Sequence, residues 1–269
     1  MEKVNYNKQN IVINDVSFSY IECGNGEPCL CLHGSRDRKD YFAGIMKIMS
    51  DKYHLIAIDF RGHGDTEKTD KGYNFPQFLN DIVIFLQKKK IKQINLIGHS
   101  LGGVISLLLA YKYPYIVKKI VLIGSVISFS AQFRRPKVNE RISQKDIEET
   151  NKNAFPYFFI PEYKDIAQQV LDNWSQIPPH VHESLIRMGH FDLDSVVSSI
   201  RHKILLIYGD EDKISSKEAR FEMLSKLKNS TIKSINNAGH FVFMEKPIEV
   251  SKLILNFFSN EKSCSNFNK

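Results

Sequence analysis

Apolar and polar positions along this chain follow two rhythms that alternate. Short runs rich in valine, isoleucine and leucine predict strands over residues 11–13, 16–21, 29–32, 54–58, 93–97, 119–123, 204–208 and 231–235. Longer stretches with apolar residues three and four apart predict helices over 41–50, 76–89, 101–113, 216–226 and 247–258. "YNFPQFLNDIVIFLQKKK" is the clearest of these: Phe78, Ile82, Phe85 and Leu86 share a helical stripe, and Pro76 falls where a first turn tolerates it. Strands that alternate with helices predict an α/β fold, a mostly parallel eight-stranded sheet flanked by helices.

The rhythm breaks between about residues 127 and 199. "NAFPYFFIPEY" and "NWSQIPPHVHESL" are rich in charge, proline and aromatics and read as several short helices, with Pro178-Pro179, His180 and His182 at a helix start. Alternation resumes at "HKILLIYGDED". An insertion of this size between two strands of one sheet reads as a lid. The expected organisation is therefore a core of residues 1–126 and 200–260, a helical cap of residues 127–199 after the sixth strand, and a flexible tail over 261–269.

Composition narrows the function classes. Hydrophobic residues make up 42% and charged residues 25%, ordinary for a soluble globular chain of 269 residues. The net charge of +7 comes from lysines scattered along the whole length, and the one dense run, Lys88-Lys89-Lys90, falls at a predicted helix C-terminus, where cations suit the dipole. No basic stripe or reader motif points to nucleic acid. Cys23, Cys29, Cys31 and Cys264 lack the spacing of a metal or disulfide framework, and Cys29 and Cys31 share one strand face, so they read as free thiols in a reducing compartment. The N-terminal residues lack a secretory apolar segment, and no apolar run approaches the ~18 residues of a membrane helix. A cytoplasmic protein with a small-molecule substrate, no nucleic acid and no membrane span is expected; monomer and dimer stay equally open.

Chemistry concentrates in "NLIGHSLGGVISLLLAYKYP". Here Gly98-His99-Ser100-Leu101-Gly102 forms a G-x-S-x-G between a predicted strand and a predicted helix, the context the motif requires. The chain must reverse within about two residues, which strains Ser100 and lifts its hydroxyl above the sheet. A Cβ at Gly98 or Gly102 would strike that turn. The following helix aims free N–H groups at the hydroxyl, which suits a developing oxyanion. A serine nucleophile needs a base and the base an orienting acid. "GDED" offers Asp210, Glu211 and Asp212 at a strand end, and His240, alone of nine histidines, follows the last strand in a glycine-preceded loop.

Four motifs then carry a resemblance over nearly the whole chain: "LHGS" from Leu32, "DFRGHGDT" from Asp59, "GHSLGG" from Gly98, and the pair "GDED" and "GHF". The chain resembles the α/β-hydrolase fold superfamily, in its serine-nucleophile esterase and lactonase branch. The resemblance implies Ser100 as nucleophile, His240 as general base and then acid, and Asp212 as the orienting acid, three residues after Gly209. It implies an oxyanion hole from the backbone N–H groups of Ser35 and Leu101, and a bracing role for His33. Asp59 and Arg61 resemble a turn-stabilising pair, and His63 and His99 read as structural. The chain departs from the family pattern at Ser35-Arg36-Asp37-Arg38, where an apolar residue and a glycine are usual, and at Asp65-Thr66. Arg36 is a candidate for an anionic substrate, with a surface ion pair to Asp37 or Asp40 as the plainer expectation.

The implied reaction needs neither metal nor cofactor: hydrolysis of a small carboxylic ester, thioester or lactone through an acyl-enzyme. The lid supplies Phe155, Tyr157, Phe158, Phe159 and Trp174 as candidates for an apolar substrate pocket, with Phe191 beside them; each could equally pack the lid onto the core. The same triad would serve a C–C bond hydrolase of β-diketone-type substrates, a perhydrolase, or a ligand receptor that signals through its lid.

Overall fold

The computed structural model describes residues 6–129, 143–188 and 191–260. Eight strands form one sheet: β1 (Asn7–Ile13), β2 (Val16–Cys23), β3 (Glu27–Leu32), β4 (Tyr53–Ile58), β5 (Ile94–His99), β6 (Val117–Ile123), β9 (Lys203–Gly209) and β10 (Ser230–Ile235). Two-residue strands β7 (Ser128–Phe129) and β8 (Phe191–Asp192) pair separately and antiparallel. The order across the sheet is β1-β2-β4-β3-β5-β6-β9-β10. β2 runs antiparallel to both its neighbours, and every other pairing is parallel. The expected α/β architecture with a mostly parallel eight-stranded sheet is the one observed.

Local chemistry accounts for the elements. Asn14 and Asp15 both adopt positive φ, the two-residue turn that matches the twist of a hairpin, and so join β1 to β2. Strand periodicity then sorts side chains by face. Leu30 and Leu32 join α2 (Phe75–Lys88), α3 (Leu101–Lys112) and α8 (Lys217–Lys226) in one core. Cys29 and Cys31 join α1 (Ala43–Met49) and α10 (Pro247–Ser259) in the other. The sequence pattern therefore places both thiols in apolar packing, where burial holds Cys29 well above its ordinary pKa; Cys264 lies outside the described residues, as does the tail expected over 261–269. The helix expected over 41–50 begins as a 3-10 turn, Lys39–Phe42, ahead of α1.

Between β6 and β9 the chain forms α4 (Gln144–Phe158), α5 (Lys164–Ser175), α6 (Pro179–Met188) and α7 (Asp194–Val197). Ser143 and Asp146 close a capping box at the start of α4. Pro179 stands at the first position of α6, where its missing N–H costs nothing. The β7–β8 ribbon and the Leu193 N–H bond to the Ile127 carbonyl tie the two ends of this excursion together. No described helix is long and apolar enough to cross a membrane.

Asp59 and Arg61 both hold the "DFRGHGDT" turn, though not by bonding each other. Asp59 instead bonds Lys39 Nζ at 2.8 Å and the Lys39 and Asp65 N–H groups, while Arg61 makes a two-pronged contact with Asp81 on α2, at 2.9 and 3.0 Å. Each residue is claimed by a different element, so the turn is pinned to both core faces. Thr66 serves in its departed position by accepting from Ser19 N–H and donating to the Asp59 carbonyl, both at 2.9 Å.

All parallel strands point their C-terminal ends to one edge, where ligands bind in open α/β sheets. The tightest point there is the approach of α3 to the sheet. A Cβ on Gly102 would overlap the carbonyl groups of Leu32 and His33, and one on Gly98 would meet the Gly102 carbonyl oxygen at 2.5 Å. These are backbone atoms that cannot swing aside. Gly102→Ala should therefore lose about 3 kcal/mol or more of stability, a cost typical of overpacking in a rigid core. Urea unfolding of the variant against the parent chain checks this; an unchanged midpoint would show that α3 is free to slide.

Candidate active site

β5 ends at His99 and α3 begins at Leu101, so a single residue makes the reversal. Ser100 has φ 49° and ψ −113°, a left-handed conformation costly for a residue with a Cβ. Its N–H donates to the Ile123 carbonyl at 2.9 Å, and Ser125 Oγ donates to the Ser100 carbonyl at 3.1 Å. The elbow is thus held from β6 and the residues that follow it.

Asp212 lies three residues past the end of β9 and His240 in the loop after β10. Their side chains meet, with His240 Nδ1 at 3.0 Å from Asp212 Oδ2. Of the three neighbouring carboxylates only Asp212 is buried; Asp210 and Glu211 are exposed. Asp212 Oδ1 accepts from the Ile214 and Ser215 N–H groups at 2.8 and 3.1 Å, and Oδ2 also takes the Ser215 hydroxyl. Burial pushes this carboxyl up, but the His240 charge and the bonds from His240 and Ser215 outweigh it and hold its pKa below the ordinary aspartate value. The Arg220 guanidinium holds the Asp212 carbonyl at 2.7 Å. The acid is ionised, fixed and aimed at one histidine nitrogen.

His240 is 1% exposed and boxed in on several sides. A Cβ on Gly124 would come within 3.0 Å of the imidazole, so that glycine leaves it room. The Phe158 ring stands edge-on to it at 5.3 Å, and the His240 N–H donates to the Phe158 carbonyl at 2.8 Å, so the end of α4 docks on the histidine loop. His99 Nε2 is 3.2 Å from the His240 carbonyl and its Nδ1 3.1 Å from Asp37 Oδ2. Among the described residues no hydrogen bond joins His240 to Ser100 Oγ, a link that commonly tightens only when substrate is bound.

Neither the Ser35 nor the Leu101 N–H donates a hydrogen bond within the described structure. The Gly34 N–H, by contrast, is taken by Asp37 Oδ2 at 3.1 Å. His33 accepts from the Phe60 N–H at 2.9 Å and lies 2.7 Å from the Gly34 carbonyl through Nδ1, so it braces this loop. Burial lowers its pKa to about 4 and keeps it neutral, as that bonding requires. His63, likewise buried and pulled down to about 3, bonds the Arg61 carbonyl and stays structural.

The structure corrects the expectation for Arg36. Asp40 pairs with Arg38 at 2.6 Å, and Asp37 turns inward to accept the Trp174 indole N–H at 2.9 Å. Arg36, at φ 68°, reaches under α4 and α5, where it bonds Asn151 Oδ1 at 2.8 Å and lies over the Trp174 ring. The side chain is half-buried there.

The aromatic candidates divide. Phe158 and Trp174 are in mutual edge contact at 5.1 Å, and Phe158 also stands against His240. Phe159 stacks flat on Phe241 and Phe155 packs on Phe159, so both join the helices to the core. Tyr157 is 45% exposed. Phe191 contributes backbone to β8, and its side chain lies outside the described residues. Among the described residues no group of three or more His, Cys, Asp or Glu side chains is placed to hold a metal ion.

Sequence reading missed Glu245, in the short helix α9 (Val242–Glu245). Its Oε2 takes the Gly239 N–H at 2.6 Å while Oε1, buried, has no partner. Burial raises its pKa to about 7. The only sequence signal was a lone acid ahead of Lys246-Pro247, which also reads as a helix start. Because the folded pKa lies above the ordinary glutamate value, the folded state binds the extra proton between about pH 4.5 and 7, and stability falls as pH rises through that window. Glu245→Gln keeps an acceptor for Gly239 and removes the penalty. It should raise stability by about 2 kcal/mol at pH 8 and by almost nothing at pH 4, as read by thermal unfolding at both pH values; an equal effect at both would mean that no proton is involved.

The alpha/beta hydrolase fold family model matches residues 27–159. A probable alcohol acetyltransferase of Cyberlindnera jadinii is 26% identical over 86% of this chain and 74% of its own length. An uncharacterized hydrolase of Bacillus subtilis is 24% identical over 90% and 94%. Among solved structures, a thermophilic esterase from Thermogutta terrifontis superposes with a TM-score of 0.83 at 19% identity, over 95% of this chain and 98% of that one. With this fold and these likenesses, the chain belongs to the α/β-hydrolase superfamily and is a hydrolase.

Proposed function

We propose that this hydrolase cleaves small carboxylic esters, thioesters or lactones through an acyl-enzyme on Ser100. The observation that carries the reading is the buried Asp212–His240 bond, 3.0 Å long, beside a serine strained into the left-handed region. In this mechanism His240 removes the Ser100 proton as the hydroxyl attacks the substrate carbonyl. The Asp212 carboxylate keeps the imidazole oriented and stabilises its charged form. Charge that builds on the carbonyl oxygen meets the unclaimed N–H groups of Ser35 and Leu101 and the N-terminal end of α3. His240 then protonates the leaving alcohol, thiol or ring oxygen, and activates water to release the acid.

The segment 127–199 acts as a cap over this site in the same reading, with Phe158 and Trp174 as its apolar wall beside His240. The likeness to an alcohol acetyltransferase and to an esterase supports chemistry on acyl groups, with water or an alcohol as the final acceptor. A small-molecule substrate follows from a site buried under short helices.

A fluorophosphonate probe tests the assignment without a guess at the substrate. One adduct per chain is expected, on the peptide that contains Ser100, absent in Ser100→Ala and strongly slowed in His240→Ala. Turnover of 4-nitrophenyl esters should fall about 10⁴-fold in either variant, the scale of losing one triad member. Folded protein that takes up no probe and turns over no ester would sink the reading.

A further inference from the structure

The parallel strands all begin at one edge of the sheet, opposite the edge where Ser100, Asp212 and His240 follow the strand ends. There the turns that enter β5, β6, β9 and β10 lie side by side and are bonded to one another. Gln93 Nε2 donates to the Tyr115 carbonyl at 3.3 Å, His202 Nε2 lies 2.9 Å from the Pro114 carbonyl, and Asn229 Nδ2 donates to the Arg201 carbonyl at 2.7 Å. Four adjacent strands make this a continuous row about 15 Å long.

Charge is segregated on the row. Residues 88–93, 111–119, 201–203 and 226–229 hold ten lysines and one arginine but no Asp or Glu, so any compensation must come from elsewhere. Acids of neighbouring elements reach three of these lysines: Glu22 pairs with Lys89, Glu27 with Lys118, and Asp194 and Glu222 with Lys226. On the adjoining turn into β4, Asp51 and Lys52 are both exposed and offset each other. Lys88, Lys90, Lys92, Lys112, Lys203 and Lys228 are exposed and pair with no acid among the described residues. Strand order thus gathers lysines that are far apart in the chain. Neighbouring turns are ~5 Å apart, inside the ~8 Å Debye length at physiological salt, so their fields add.

The same row carries three exposed tyrosines. Tyr111, Tyr113 and Tyr115 are 46%, 39% and 89% exposed and frame Lys112 and Pro114 between α3 and β6. A tyrosine that protrudes beside lysines has the make-up of a bilayer-interface anchor. Its apolar body enters the headgroup layer, its hydroxyl stays in water, and the ammonium groups meet acidic lipids. A nucleic acid strand needs a groove to track its backbone and rings on which its bases stack. The Tyr115 ring, exposed on nearly all sides, has no wall to make such a groove.

We propose that this edge of the sheet seats the protein on an anionic membrane surface, with the three tyrosines at headgroup level and the six unpaired lysines against acidic lipids. The active-site edge then faces away from the bilayer. Substrate arrives from water, and attachment is independent of the chemistry at Ser100.

Flotation of the full chain with phosphatidylcholine vesicles that contain about 30% phosphatidylserine tests the seat. Binding is expected at ~0.1 M NaCl, absent on pure phosphatidylcholine and reversed at ~0.5 M, where screening is stronger. An anionic leaflet favours each nearby lysine by a factor of about five, so Lys90→Gln, Lys112→Gln and Lys203→Gln together should weaken binding about 100-fold. Tyr111→Ser with Tyr115→Ser should weaken it about tenfold yet leave elution from a heparin column unchanged, because heparin offers charge without an interface. Both variants should keep the parent's unfolding midpoint, since every substituted site is exposed. No binding to the acidic vesicles, equal binding to neutral ones, or binding that ignores either set of substitutions would overturn the proposal. So would tighter binding to oligothymidine than to vesicles, lost in the tyrosine variant, which would assign the face to nucleic acid.

Discussion

The site depends on one backbone reversal between β5 and α3. Ser100 occupies a conformation that costs a residue with a side chain on the order of 1–3 kcal/mol. The fold sustains it because α3 is pressed against the sheet so closely that only glycine fits at positions 98 and 102. Relaxing Ser100 would lift the helix off β3 and open the core on that face. The strain is thus held in place by packing, and the Leu101 N–H that follows it is left unclaimed among the described residues.

A second organising feature is the Asp37 carboxylate. Through three oxygen contacts it ties the Gly34 N–H of the loop after β3, His99 of the elbow strand, and Trp174 of α5. Its pKa stays below the ordinary value although burial pushes up, because bonds and charge from His99 and the Trp174 indole outweigh desolvation. One buried anion therefore joins the loop after β3, the elbow strand and α5. On the other side Phe158 and Glu245 hold the histidine loop through the His240 and Gly239 N–H groups. The site is fastened to the helices that cover it at both ends. Any motion that exposes the histidine must break these bonds or carry them along.

This arrangement separates two charge environments. Around His240 the acid is paired and ionised, and the remaining neighbours are aromatic. Around Arg36 the cation is stacked and hydrogen bonded but unpaired.

Much of this was legible along the chain. Strand and helix periodicity, glycines at 98 and 102, and the order of Ser100, Asp212 and His240 are local or sequential features, and each is set by backbone sterics or by strand order. The sequence also narrowed the acid to three adjacent carboxylates, though the choice of Asp212 needed the family resemblance; in the fold, burial and the Ser215 bonds single it out. Hidden were the contacts between residues far apart in the chain. Arg36 sits more than 100 positions from Asn151 and Trp174, and nothing in its neighbourhood of Asp37, Arg38 and Asp40 reveals that it turns inward. The resemblance marked Asp59 and Arg61 as turn-stabilising, but not that their partners are Lys39 and Asp81, each about 20 positions away. Glu245 belonged to no motif. Periodicity records which face a residue presents, and motifs record which backbone turn it makes. Which charge is left without a partner is a property of the assembled interior, where desolvation and long-range neighbours decide, and only the tertiary structure determines it.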